Sequence, residues 1–158
     1  FGEAEGFEFM KALHKNINQY TKSGSAPVKS AARGENIIGI VFMHDAVAQT
    51  VAGFPIKTVA PCEGTGYEIG SMSIIAGARN LENAKKFYDW ALTADAQSRA
   101  LQVDAFQVPS NKGAKTSPAA PDLSSIKLID YDFALYGSSD ERKRLLKKWD
   151  NEVSVLPQ

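Results

Sequence analysis

Residues 38–43 read Ile-Gly-Ile-Val-Phe-Met, an apolar run that stops abruptly at His44 and Asp45. A continuous apolar run suits a strand buried on both faces, and such strands belong to parallel sheets covered by helices. In open α/β sheets ligands bind beyond the carboxyl ends of the strands, and this end carries two adjacent ionisable side chains. The site is therefore expected there.

The flanking segments predict the rest of such a sheet. Residues 3–17 place Phe7, Met10, Leu13, His14 and Ile17 at helical spacing, one largely apolar stripe on a polar helix in which His14 packs. Ser25 suits the N-cap of a short helix with Pro27 in its first turn and Arg33-Gly34 near its end. A strand over 36–43, a helix over 45–51 stopped by Gly53 and Pro55, and a strand over 56–60 form a βαβ-like unit. After Pro61 comes a flexible polar loop, Glu63-Gly64-Thr65-Gly66, and an extended stretch over 68–75.

Asn80 is placed to cap an amphipathic helix over 81–92 that buries Ala84, Phe87, Trp90 and Ala91, and Thr93 to cap a second over about 94–101. Residues 108–111 and 116–121 read as loops. A last helix, about 140–153, packs Leu145, Leu146, Trp149 and Val153. Helix and strand alternate, which argues for an α/β fold with a mostly parallel sheet.

Composition removes several classes of function. The 18 basic and 18 acidic residues balance, so no long-range field draws nucleic acid or an anionic membrane. Lys143, Arg144, Lys147 and Lys148 are diluted by Asp140, Glu141, Asp150 and Glu152, the pattern of a solvated helix face. A single cysteine, Cys62, leaves no internal disulfide and no multi-cysteine zinc site. No apolar run has the length to span a bilayer, and the chain opens on Phe1, as a processed or truncated product would.

Nor does an enzyme emerge. Residues 63–70 lack the spacing of a phosphate loop or a dinucleotide fingerprint, and no Gly-x-Ser-x-Gly elbow occurs. Cys62 and His44 are nucleophile and base by type, yet nothing around Cys62 has a nucleophile signature. No catalytic residue, cofactor or nucleic-acid partner is expected.

The stretch 83–92, Asn-Ala-Lys-Lys-Phe-Tyr-Asp-Trp-Ala-Leu, followed by Ala96-Gln97 and by Phe106-Gln107-Val108-Pro109-Ser110-Asn111, resembles the carboxyl-terminal half of periplasmic solute-binding proteins of ABC importers. Pro121-Asp122-Leu123, the run from Lys127 to Asp132 and a last helix with Trp149 fit the same ending. The resemblance covers essentially the whole chain. It implies a type II periplasmic-binding-protein fold, partial here, in the superfamily that includes ferric-ion binders. It also implies an intact protein about twice this length, with an amino-terminal half of the same protein as missing partner. Residues 1–72 would belong to the second lobe, 73–125 to the first, and 126–158 return to the second. A periplasmic location and an inner-membrane ABC permease as partner are implied likewise.

Within that superfamily ferric binders commonly carry adjacent tyrosines near this strand end, hard anionic donors for a hard cation. Here His44 and Asp45 stand there, and the sequence is most similar to the hexose-phosphate-binding branch, in which a His-Asp pair and a later Glu hold the sugar. By motif, His44 and Asp45 carry over directly and the Glu becomes Glu68, with Glu63 competing. A carboxylate accepts from two neighbouring hydroxyls, and an imidazole donates to a hydroxyl or phosphoryl oxygen. Ser25, Thr65 and Tyr67 are secondary candidates: the turn before the short helix for phosphate, and the Tyr67 ring for a sugar face.

Plainer roles remain open for each. Asp45 can be an N-cap, His44 a satisfied polar residue at a strand end, Glu68 half of a surface ion pair, and Tyr67 a packing residue. A metal receptor using His44, Asp45 and Glu68 is the alternative function, since imidazole and two carboxylates suit zinc or iron.

Overall fold

The computed structural model describes residues 1–157. Its α-helices are, in chain order, α1 (Glu3–His14), α2 (Ala26–Ala32), α3 (Met43–Val51), α4 (Leu81–Ala91), α5 (Ala94–Ser98), α6 (Phe133–Tyr136) and α7 (Ser139–Glu152), with 3-10 turns at Arg99–Val103 and Leu123–Ser125. The chain divides into two compact units, Phe1–Lys22 with Asp130–Gln158, and Ser23–Ile129.

In the first unit α1 carries Glu3 and Glu5 in its first turn, where carboxylates favour the positive end of the helix dipole. It ends at His14 rather than Ile17, and the Asn16 N–H turns back to the Leu13 carbonyl at 2.8 Å. Helix α7 starts where the Ser138 hydroxyl accepts the Glu141 N–H at 3.2 Å, one residue before the expected start. Helix α6, which the sequence pattern did not suggest, is capped by Asp132, which accepts the Leu135 N–H at 2.9 Å.

Phe7, His14 and Val153 are the buried centre of this unit. The Lys148 ammonium stands 4.3 Å above the centre of the Phe7 ring and donates to Glu3 at 2.8 Å, while Arg144 reaches both Glu3 oxygens at 3.0 and 2.6 Å. His14 is only 3% exposed, and both ring nitrogens are used: Nε2 on the Leu156 carbonyl at 3.0 Å and Nδ1 on the Tyr20 hydroxyl at 2.9 Å. A carbonyl only accepts, so Nε2 carries a proton, and in the neutral ring the Tyr20 hydroxyl donates to Nδ1. The packing expected of His14 is what the chain makes of it. Leu146, expected in the core, is exposed instead, and Trp149 is half-buried with its ring edge-on to His14 and Tyr20.

In the second unit the expected helix stops are present: Gly34 and Gly53 take φ of +75° and +89° after α2 and α3, a conformation that costs glycine least. Thr93 caps α5, accepting the Ala96 N–H at 3.2 Å, but the helix gives way to a 3-10 turn at Arg99. Asn111 fixes the loop at 108–111: its amide donates to the Leu92 carbonyl at 2.8 Å, and its N–H donates to Gln97 at 2.9 Å. Val28, Ala32, Ala46 and Phe106 are buried.

The parallel sheet anticipated from the apolar runs is not formed. Residues 36–42, 56–60 and 68–75 are irregular, and α3 takes in Met43, the last residue assigned to the first strand. Among the described residues the β-pairing is a lone parallel bridge between Thr65 and Leu128, made by Thr65 N–H to Lys127 O at 2.9 Å and Ile129 N–H to Thr65 O at 3.0 Å. A strand is stable only when a neighbour in register takes its backbone groups, and these runs face none. Their side chains show it: Ile37 is 99% exposed and Ile38 79%.

Helix α4 departs from expectation in the same direction, since Phe87 and Trp90, read as core, are 60% and 46% exposed. Ile75 and Val103 are 81% and 74% exposed likewise. Much apolar surface is thus left uncovered.

Candidate functional site

Helix α3 sets the geometry of the predicted site. The helix begins at Met43, so His44 and Asp45 occupy its first turn instead of the end of a strand. Phe42 holds the N-cap position in an extended conformation, and its carbonyl accepts the Asp45 N–H at 3.1 Å and the Ala46 N–H at 3.3 Å. Asp45 therefore lies inside the helix, and the plain role of N-cap does not apply to it. Its carboxylate benefits from the positive end of the helix dipole.

His44 Nε2 and the Asp45 carboxylate are 3.9 Å apart, too far for a hydrogen bond, and their side chains are 29% and 26% exposed. Among the described residues neither side chain makes a hydrogen bond. Two strong polar groups are thus held side by side, partly desolvated, with their bonding capacity unspent. The plain role of a satisfied strand-end residue does not fit His44.

Phe42, in sequence one residue of the apolar run, belongs to this neighbourhood. Its ring stacks on the His44 imidazole with centroids 5.5 Å apart and planes 11° from parallel. A Cβ placed on Gly24 would meet the far edge of the same ring at 3.5 Å, so the turn before α2 lies against Phe42. Ser25 belongs to that turn. It stands at the N-cap position of α2 without capping it, and its hydroxyl lies 3.5 Å from that of Ser23.

The polar loop is anchored separately, by the Thr65 bridge. Gly64 has φ +128°, and a Cβ there would approach the Ile129 side chain to 3.3 Å. Thr65 donates its hydroxyl to the Gly66 carbonyl at 3.3 Å. Glu68 is exposed and has no ion-pair partner among the described residues, so the plain ion-pair role finds no partner here. The competing Glu63 carboxyl is held below its usual range by its own backbone N–H first, then by the Cys62 thiol and by Lys127.

His44 and Asp45 are thus brought together, with Phe42 stacked on His44 and the turn that holds Gly24 near the Phe42 ring. No group of three or more His, Cys, Asp or Glu among the described residues is gathered closely enough to hold a metal ion, so His44, Asp45 and Glu68 do not form one. Two shallow depressions of about 450 Å³ each, one beside Phe7 and Lys148 and one beside Ser98 and Lys115, include none of the predicted site residues. No helix among the described residues is long and apolar enough to cross a membrane.

Solved structures with this fold define its class. The chain superposes on the periplasmic binding protein AfuA from Actinobacillus pleuropneumoniae, solved with exogenous fructose-6-phosphate bound, with a TM-score of 0.93 and 52% identity, covering 99% of this chain and 49% of that one. It superposes on the periplasmic binding protein P5PA with a TM-score of 0.88 and 40% identity, covering 98% and 49%. The architecture is therefore a partial type II periplasmic-binding-protein fold.

Residues 2–126 match the family of bacterial extracellular solute-binding proteins, and the chain belongs to that family. An uncharacterised protein of Haemophilus influenzae is 49% identical over 98% of this chain and 45% of its own length. The spermidine/putrescine-binding periplasmic protein of Escherichia coli K12 is 25% identical over 92% of this chain and 38% of its own. The chain spans about half the length of the relatives it matches, or less.

Proposed function

We propose that this chain is the carboxyl-terminal half of the substrate-binding component of an ABC importer. The intact protein takes up a hexose phosphate in the cleft between two lobes in the periplasm and delivers it to an inner-membrane permease. The observation that carries the reading is the 52% identity and 0.93 TM-score to a binding protein solved with fructose-6-phosphate. The unspent His44 and Asp45 pair adds chemical support.

In this reading Asp45 and Glu68 accept from sugar hydroxyls, and His44 donates to a hydroxyl or phosphoryl oxygen. Ser25, Thr65 and Tyr67 are secondary contacts. Residues 1–72 and 126–158 belong to one lobe and 73–125 to the other. The runs at 36–43, 56–60 and 68–75 become strands when the amino-terminal half supplies their neighbours, which accounts for the exposure of Ile37 and Ile38. Closure by hinge motion signals occupancy, and no bond in the ligand is made or broken, so the protein is not an enzyme.

The test is titration calorimetry of the intact receptor with fructose-6-phosphate, beside Asp45→Ala. Binding is expected in the first and a loss of about a hundredfold in the second, the scale of one charge-assisted acceptor removed from a desolvated site. Unchanged binding by Asp45→Ala would sink the proposed site. The polyamine-binding relatives support a second reading, in which the carboxylates of Asp45 and Glu68 receive ammonium groups. Heat on titration with putrescine, and none with the sugar phosphate, would establish that reading instead.

A further inference from the structure

We infer that Phe42 is a positioning residue for ligand binding, fixing the plane of the His44 ring and so the plane in which its nitrogens meet a ligand; this rests on the reading of His44 as a ligand contact. The ring planes are 11° from parallel at 5.5 Å, the offset stacked arrangement that aromatic pairs favour. His44 has no hydrogen bond among the described residues to hold its ring, and Asp45 at 3.9 Å is too distant to do so. Among the described residues the stack on Phe42 is the ring contact His44 makes.

Phe42 itself is well held. Its backbone is the N-cap of α3, with two helix N–H groups on its carbonyl, and its ring faces Gly24 closely enough that a Cβ added there would touch it at 3.5 Å. The turn before α2 therefore reaches His44 through Phe42. A side chain whose final torsion is broad gains most from such a restraint, because otherwise the ordering cost falls on the binding step.

The chain has only two histidines, and His14 lies in the other compact unit, so its ring resonances serve as an internal reference. In the intact receptor, the ring-carbon protons of His44, assigned by their loss in His44→Asn, are compared in wild type, Phe42→Leu and Phe42→Tyr. Leucine keeps an apolar side chain against Gly24 and removes the π face; tyrosine keeps the face.

Phe42→Leu is expected to move the His44 protons downfield, leave those of His14 in place and weaken hexose-phosphate binding about three- to tenfold, the range of one aromatic pair. Phe42→Tyr is expected to restore both. Unmoved His44 resonances in Phe42→Leu would overturn the inference. So would equal loss of affinity in both variants, which would make the ring a ligand wall or plain packing. A wild-type receptor that ignores hexose phosphates overturns the parent reading, while the resonance comparison still decides the stack.

Discussion

The two histidines of this chain are used in opposite ways, one spent on internal hydrogen bonds and the other not. His14 is almost wholly buried, and both its nitrogens are committed, one of them to a carbonyl 142 residues away. His44 is partly exposed on the first turn of a helix, stacked on a half-exposed phenylalanine, its Nε2 3.9 Å from the Asp45 carboxylate and neither nitrogen hydrogen-bonded among the described residues. Structure is built where polar capacity is consumed internally, and recognition is available where it is left over. The same division appears in the apolar residues: Phe7 and Val153 are covered, whereas Ile37 and Ile38 face solvent.

Breaking the His14 knot should produce the largest effect. His14→Ala leaves the Leu156 carbonyl and the Tyr20 hydroxyl without their partner and opens a cavity against Trp149, so a loss of about 2–3 kcal/mol of stability is expected. His44→Ala should cost less, about 0.5–1.5 kcal/mol, since it removes one aromatic stack and, among the described residues, no hydrogen bond. Thermal denaturation of the two variants side by side checks the contrast. Equal destabilisation would dissolve it.

Gly39 sharpens the comparison within the second unit. A Cβ there would sit 2.7 Å from the Pro27 carbonyl oxygen and 2.9 Å from its carbon, backbone atoms of α2 that cannot swing aside like a flexible side chain. Gly39→Ala should cost about 1–3 kcal/mol, the usual penalty of overpacking, whereas Gly66→Ala, with open space around its position, should be nearly neutral. If Gly39→Ala melts like the parent, the apolar run is not seated on α2.

Much of this was legible where the determinants are local. The stops at Gly34 and Gly53, the Thr93 cap and the stripe of α1 as far as His14 depend on residues within a turn of one another, and the chain uses them. The strands were not, because a ladder depends on what lies alongside, and residues 36–42 have nothing in register among the described residues. The misreading of Phe87 and Trp90 has the same origin: an amphipathic stripe reports what a helix can bury, and burial needs a second surface. At the site, the adjacency of His44 and Asp45 was plain in the sequence, but their position inside α3 was not. Phe42 was hidden by its own hydrophobicity. The one available signal was its spacing, two residues before His44 across a strand-to-helix junction.

The smallest expected effect separates a long-range ion pair from a local one. The Glu3 carboxyl is lowered from 4.5 to about 2, first by Arg144 and then by Lys148, and Glu35 is lowered from 4.5 to about 2 by Arg33 and Ser30. A carboxyl whose folded value is depressed contributes its stability in full above the unfolded value, and that contribution drains away as the pH falls from 4.5 towards 2. Both groups are solvated at the surface, so both contributions are modest and screened by salt. They differ in reach: Glu3 ties α1 to α7 across 141 residues, whereas Glu35 bonds residues two and five positions away. A local pair survives in the partly unfolded chain and so discriminates less between folded and unfolded states. Melting temperatures measured from pH 5 down to pH 2 should therefore fall less steeply in Glu3→Gln than in the parent, and Glu35→Gln should follow the parent more closely. In about 1 M salt, where the screening length is roughly 3 Å, the three curves should converge. An acid limb in Glu3→Gln as steep as the parent's would show that the α1–α7 junction is held by Phe7, His14 and Val153 alone, with the charges above them contributing nothing to its pH dependence.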